Sequence, residues 1–208
     1  MMRLLALAVG LCAVAMSVQA QAQSRSERTR LANCFVQHDS DRMRRWIEAD
    51  GPMLMWREMS ATSLRPCRPI RNTRFEYWTL RGSIAEALLL PGMSEARAGR
   101  WSSIAPPTDV LVSVALNDEA VRNHFLTTAL TECLVHRNLQ GVLALFRAAP
   151  DSPAEREAFA TLAPSIVDCR QYAADFAVEV PTDMLRARIA IAAYLMDLKI
   201  RPPSGATE

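Results

Sequence analysis

Leu80-Arg81-Gly82-Ser83-Ile84-Ala85-Glu86-Ala87-Leu88-Leu89-Leu90 and Leu185-Arg186-Ala187-Arg188-Ile189-Ala190-Ile191-Ala192-Ala193-Tyr194-Leu195 align without a gap at an offset of 105. Leu, Arg, Ile, Ala, Ala and Leu recur in register. Both stretches are dense in good helix formers and are closed by Pro91-Gly92 and Pro202-Pro203, the punctuation of a helix end. Upstream, Cys67 matches Cys169 at an offset of 102, and Cys34 with Val36 matches Cys133 with Val135 at an offset of 99. Two three-residue length changes reconcile the three offsets. An ordered series of matches at about a hundred residues is what a tandem duplication leaves behind. The expected fold is therefore all-α, a duplicated unit of roughly four helices.

The chain has 208 residues, 50% hydrophobic and 22% charged, a balance that supports a packed core and excludes wholesale disorder. Its N-terminus carries one charge, Arg3, then an apolar run from Leu4 to Met16, then Ser17-Val18-Gln19-Ala20-Gln21-Ala22. That order of charge, short apolar run and small residues reads as a secretory signal at 1–22, cleaved after residue 20 or 22. Cys12 lies inside the run and is preceded by Leu11 rather than by a small residue, so no lipid anchor is expected. No later stretch is apolar for long enough to cross a membrane. Removing the signal leaves four of the five cysteines, an even number that in an exported chain suggests two disulfides. Three connectivities are open. The duplication favours Cys34 with Cys67 and Cys133 with Cys169, because each copy must once have been stable alone. Each closure contributes roughly 3 to 4 kcal/mol on the chain-entropy account.

Helix signals divide the mature chain further. Ser24-Arg25-Ser26-Glu27 has capping-box spacing ahead of Leu31, Cys34 and Phe35. A second helix is expected after Asp39 or Ser40 with Met43, Trp46 and Ile47 on its apolar stripe, and a third with Met55, Trp56 and Met59. In the later copy Asn138 precedes Val142, Leu145 and Phe146. Ser152-Pro153-Ala154-Glu155 then opens a helix that runs to Cys169 with a distortion at Pro164. The last helices are expected at about Leu80 to Leu90 and from Thr182 or Asp183 to Lys199. Strand signals are scarce, the best being Val110 to Val114. The resulting division is a first helical copy at 23–91, a linker or surface loop at 92–108 rich in small residues and proline, a second copy at 109–201, and a disordered tail at 202–208.

A recurring cysteine pair followed by Leu-Arg-x-x-Ile-Ala-x-Ala resembles small exported all-helical proteins of alphaproteobacteria, sphingomonads in particular, over residues 28 to 198. That resemblance implies an all-helical fold and a bacterial envelope address, and implies no activity; with the signal segment the expected address is periplasmic or secreted. Ala187 stands where the first copy has Gly82, and Ile191 where it has Glu86, so no role common to both copies is expected of Gly82 or Glu86.

Charge is unevenly placed: residues 23–107 carry +5 and residues 108–208 carry −4. Arg65, Arg68, Arg71, Arg74 and Arg81 gather around Cys67 among Phe75, Tyr77 and Trp78. Such a mixture would suggest nucleic acid in a cytoplasmic chain, but export points instead to an anionic envelope polymer or an acidic protein. Arg68, Arg71, Arg74 and Trp78 are the candidate binding residues. Trp46 and Trp56 have the spacing of core residues, whereas Trp78 and Trp101 are freer to line a surface. Arg81 and Arg186 recur in the two copies and are expected to hold helix ends or buried carboxylates. The histidines are His38, His124 and His136. With the four mature cysteines used in disulfides no metal is expected, and no cofactor, since no nucleophile elbow, phosphate loop or dinucleotide glycine pattern is present. The reading is a binding or scaffold module. The alternative is an enzyme acting on envelope glycans with Glu76 or Glu86 as its acid.

Overall fold

The computed structural model describes residues 2–49, 66–67, 76–104, 119–170 and 181–200, those at 2–24, 102 and 119–125 by their backbone alone. Every regular element among them is helical: α1 (Met2–Glu48), α2 (Tyr77–Leu89), α3 (Glu95–Gly99), a 3-10 turn (Arg100–Ser103), α4 (Glu119–Arg137), α5 (Leu139–Arg147), α6 (Pro153–Cys169) and α7 (Thr182–Ile200). Both expected disulfides are present, Cys34–Cys67 and Cys133–Cys169, with Cα atoms 5.6 and 5.8 Å apart. Among the described residues no helix is long and apolar enough to cross a membrane.

Local sequence accounts for the boundaries. The backbone of α1 is helical through Ser24, so the capping-box spacing there marks no start; the alanines, leucines and glutamines before it favour helix as strongly as the residues after it. The one break comes at Asp39, whose φ of −156° and ψ of 70° are non-helical. Its side chain accepts the backbone N–H of Arg42 at 3.1 Å, an N-cap bond that restarts the helix. Asn138 does the same work between α4 and α5, with φ −136° and ψ 60° and its side chain accepting from Gly141 N–H. Ser152 caps α6 by accepting from Glu155 N–H at 3.1 Å, while Glu155 reaches back to the Asp151 N–H at 2.7 Å. The helix continues through an exposed Pro164.

The core forms where α2 and α7 pack on one another, with α1 laid against α2 and α4 against α7. Leu31, Phe35, Met43, Trp46 and Ile47 face Leu80, Ile84 and Leu89; Leu134, Leu143, Leu145 and Leu162 close around Ile189, Ala193 and Tyr194. The Arg81 guanidinium donates to the carbonyls of Ile47 and Ala49. Arg186 donates to that of Ala148. Ala49 and Ala148 are separated by the same 99 residues as Cys34 and Cys133, and Arg81 and Arg186 by the 105 of the aligned helices. The expectation that these arginines serve helix ends is met.

The stretch 92–108, expected to be a linker or surface loop, holds α3 and the 3-10 turn in its described part, and Ala98 and Trp101 there are fully buried. Trp101 is thus a core residue rather than a surface one. Its indole reaches toward Asp197, a carboxylate with no exposure, to which Arg97 also donates from Nε at 2.7 Å. The local proline and small residues that suggested a loop gave no hint of a partner a hundred residues away. Residues 55–59 and 110–114 lie outside the described residues.

At the centre of the α2–α7 contact the backbones themselves meet. A Cβ on Gly82 would stand 2.3 Å from Ala187 Cα and Cβ and 2.6 Å from its carbonyl oxygen. Because the obstacle is largely backbone, no rotamer change relieves it, and the helices must part along their whole contact. Gly82→Ala, which in an exposed helix would be stabilising, is therefore expected to destabilise the fold by about 3 kcal/mol, the upper range of overpacking costs. Urea unfolding of the two proteins measures it; an unchanged midpoint would contradict the close approach.

Candidate functional site

Of the residues singled out from sequence, Arg68, Arg71 and Arg74 lie outside the described residues. Trp78 lies at the start of α2, half-buried, with two cations near its ring. The Arg188 guanidinium is 3.5 Å from its centroid and that of Arg81 5.3 Å. Tyr77 meets it edge-on at 4.8 Å and Trp46 continues the series at 5.9 Å from Tyr77. Each cation–π contact of this kind contributes on the order of 1 kcal/mol. Trp78 borders a cavity of about 170 Å³ that Ile47, Thr131, Ile191 and Leu195 also line, so its position serves packing between α1, α2, α4 and α7.

Glu86 and Glu76 part company. Both oxygens of Glu86 accept from Arg186, Oε2 from Nε at 3.0 Å. Arg186 extends the network to Glu155 Oε1 at 2.8 Å, and Arg25 reaches the same oxygen at 2.7 Å while also pairing with Asp151. Arg28 stands beside it, donating to Ser83 Oγ at 3.2 Å with Asp183 3.7 Å away. Burial works against the charge on Arg186, but its bonds to Glu86 and Glu155 prevail and raise its pKa. Burial likewise opposes ionisation of Glu155, and the bond from Arg186, the Asp151 N–H and the charge of Arg25 prevail and lower it. For Arg28 desolvation wins over the attraction of Asp183, and its pKa falls. The cleft that Arg25, Arg28, Ser83, Glu86, Asp183 and Arg186 line is about 70 Å³. Four carboxylates meet three guanidiniums, so the network is saturated with its own charges and offers no excess for an anion. Glu76, exposed ahead of α2, has its carboxyl raised by desolvation, against the Thr79 N–H and Arg188.

An open groove of about 480 Å³ has different character. Val36, Leu88, Pro91 and Ile200 supply apolar surface, and Arg44, Arg97 and Arg100 supply charge. Arg97 is committed to Asp197, whose hydrogen bond raises its pKa despite some burial. Arg44 and Arg100 are exposed and form no ion pair among the described residues. Among the described residues the groove thus combines two guanidiniums that form no ion pair with apolar surface, and its size is that of a small-ligand site. Nothing in the sequence pattern joins Arg44 to Arg100. They are 56 residues apart and line one groove because α1 packs on α2 while the 3-10 turn packs on α7.

A third cluster concerns the first disulfide. His38 Nδ1 lies 3.7 Å from Cys34 Sγ and 3.6 Å from Cys67 Sγ, and the three donor atoms fall within 4.8 Å of one another. Treating the cysteines as disulfide halves alone passed over the i, i+4 spacing of Cys34 and His38, the signal from which this grouping was legible. Comparison with protein-family models, with curated proteins and with solved structures gives no match.

The ion network makes stability depend on acid. The folded Glu155 carboxyl ionises below its ordinary value of 4.5. Its contribution is therefore complete above that pH and is lost as pH falls through the lowered folded value. Glu155→Gln leaves Arg25 and Arg186 buried with one partner fewer, at a cost on the order of 3 kcal/mol at pH 7. Between pH 6 and pH 3 the variant should lose less stability than the parent. Thermal melts across that range decide it, and parallel pH profiles would show that Glu155 is not a titrating contributor.

Proposed function

We propose that this chain is an exported, duplicated, disulfide-stapled helical binding protein of the bacterial envelope, and that its ligand is an anionic amphiphile, a phosphate or carboxylate headgroup on an apolar chain. The observation that carries the ligand class is the groove that the exposed Arg44 and Arg100 line together with Val36, Leu88 and Ile200. Arginine forks bind oxyanions bidentately, and apolar surface rewards methylenes at about 25 cal/mol per Å² removed from water. Support for duplication comes from the paired environments of Asp39 and Asn138, of Arg81 and Arg186, and of the two disulfides. Support for export comes from the signal-like segment at 1–22 and from the disulfides themselves. Arg68, Arg71 and Arg74 remain in this reading as a second source of positive charge.

The alternative, an enzyme acting on envelope glycans with Glu76 or Glu86 as acid, has thinner support. Glu86 is engaged on both oxygens by Arg186 within helix packing, which leaves the raised carboxyl of Glu76 as its main argument. Calorimetry with dodecyl phosphate separates the readings. The exported chain should bind it at least tenfold more tightly than dodecanol, and Arg44→Ala with Arg100→Ala should remove that preference and most of the salt dependence. Both positions are exposed, so the fold should survive the changes. Equal affinity for the charged and neutral probes, or an unaffected double variant, would sink the groove as the site. Release of sugar from cell-wall material that Glu76→Gln abolishes would favour the enzyme.

A further inference from the structure

The two disulfides have unlike surroundings. Cys133 and Cys169 are 3% and 0% exposed, and Arg137 stands where the first half has His38, at the offset of 99. Cys34 is half-buried, Cys67 is buried, and the exposed His38 presents Nδ1 to both sulfurs. Among the described residues, Cys34, His38 and Cys67 are the group of three metal-ligating side chains that converge.

We propose that the Cys34–Cys67 disulfide is reducible and that, once reduced, Cys34, Cys67 and His38 form a divalent-metal site best matched to Zn²⁺. Tetrahedral zinc bonded to thiolate and imidazole at its usual lengths places nitrogen and sulfur about 3.6 Å apart. His38 Nδ1 already stands at 3.7 and 3.6 Å from the two sulfurs. Two thiolates on one zinc are about 3.8 Å apart against about 2 Å in any disulfide, so opening the bond asks each sulfur to move by only about 1 Å. Two thiolates and an imidazole are a donor set that selects zinc over the hard cations. Three protein ligands leave the fourth position to water, so the ion is exchangeable.

The chemistry needs a reductant, which we take to be a dithiol of the oxidoreductase class. Its thiolate attacks Cys34 Sγ, the more accessible sulfur. The S–S bond breaks with its electron pair leaving on Cys67, and the reductant's second thiol then displaces Cys34. The dithiol is oxidised to a disulfide and the protein pair gains two electrons and two protons. The metal next displaces both thiol protons and binds His38 Nδ1, whose proton, held against the Cys34 carbonyl beforehand, is lost to water while Nε2 takes one up, so that the bound ring is the neutral Nε2–H tautomer. In exchange the contact of Nδ1 with the Cys34 carbonyl, 3.0 Å, is given up. Reoxidation reverses the sequence and releases the ion.

Co²⁺ serves as the probe. The purified chain, treated anaerobically with a graded dithiol, is alkylated and mapped by mass; Cys34 and Cys67 should be labelled while Cys133 and Cys169 remain linked. That half-reduced protein should bind one Co²⁺ with thiolate charge-transfer and tetrahedral d–d bands, and Zn²⁺ should displace it. The oxidised chain should show neither band. His38→Ala, at an exposed position, should match the parent in its oxidised circular dichroism and melting, yet bind Co²⁺ at least tenfold more weakly. Simultaneous opening of both disulfides, no stoichiometric Co²⁺ in the half-reduced protein, or unchanged affinity in His38→Ala would each overturn the proposal.

Discussion

Two helices a hundred residues apart touch backbone to backbone, and most of the molecule depends on that contact. Gly82 lets α2 sit on Ala187 of α7 with no room for a Cβ. At that separation Arg186, the neighbour of Ala187, reaches Glu86, one turn beyond Gly82, on both oxygens. α1 and α4 then have one face each to cover, and the core closes on either side of the crossing. A larger residue at either position would widen the gap that Arg186 spans and open the core on both flanks at once.

Buried charge supplies what an apolar interface of alanines and leucines lacks, a fixed register. Alanine-rich helices slide past one another at small cost, whereas Arg186 finds Glu86, Glu155 and the Ala148 carbonyl together in one position only. Removing ions from water is expensive, and replacing such pairs by apolar residues often stabilises a protein. We therefore regard the network as a device for specificity more than for strength. Arg97 and Asp197 play the matching part at the far end of α7, drawing α3 and Trp101 into the core.

Features encoded by local spacing were legible in the sequence. The caps at Asp39, Asn138 and Ser152 and the apolar stripes with Met43, Trp46, Leu145 and Leu162 have short-range signals, whereas the pairing of cysteines inside each half was legible only through the repeat. Arg81 and Arg186 were legible in the same way, since repetition at the helix offset marked them as structural. The groove was not legible, because Arg44 and Arg100 line it together only when α1 packs on α2 and the 3-10 turn on α7, and no pattern along the chain announces an arrangement made by tertiary packing. Trp101 was misjudged on the same ground: its partner, Asp197, lies 96 residues away. His38 was a signal present and unused, hidden by the stronger claim of the disulfides on Cys34 and Cys67.

The α2–α7 crossing makes the two halves one cooperative unit, although each has its own disulfide and its own flanking helix. Native-state hydrogen exchange in increasing urea tests this most directly. The slowest amides of residues 77–89 and 182–200 should share one opening free energy, equal to that of global unfolding, with the same dependence on urea. Two separate opening energies, one for each helix and its half, would contradict it.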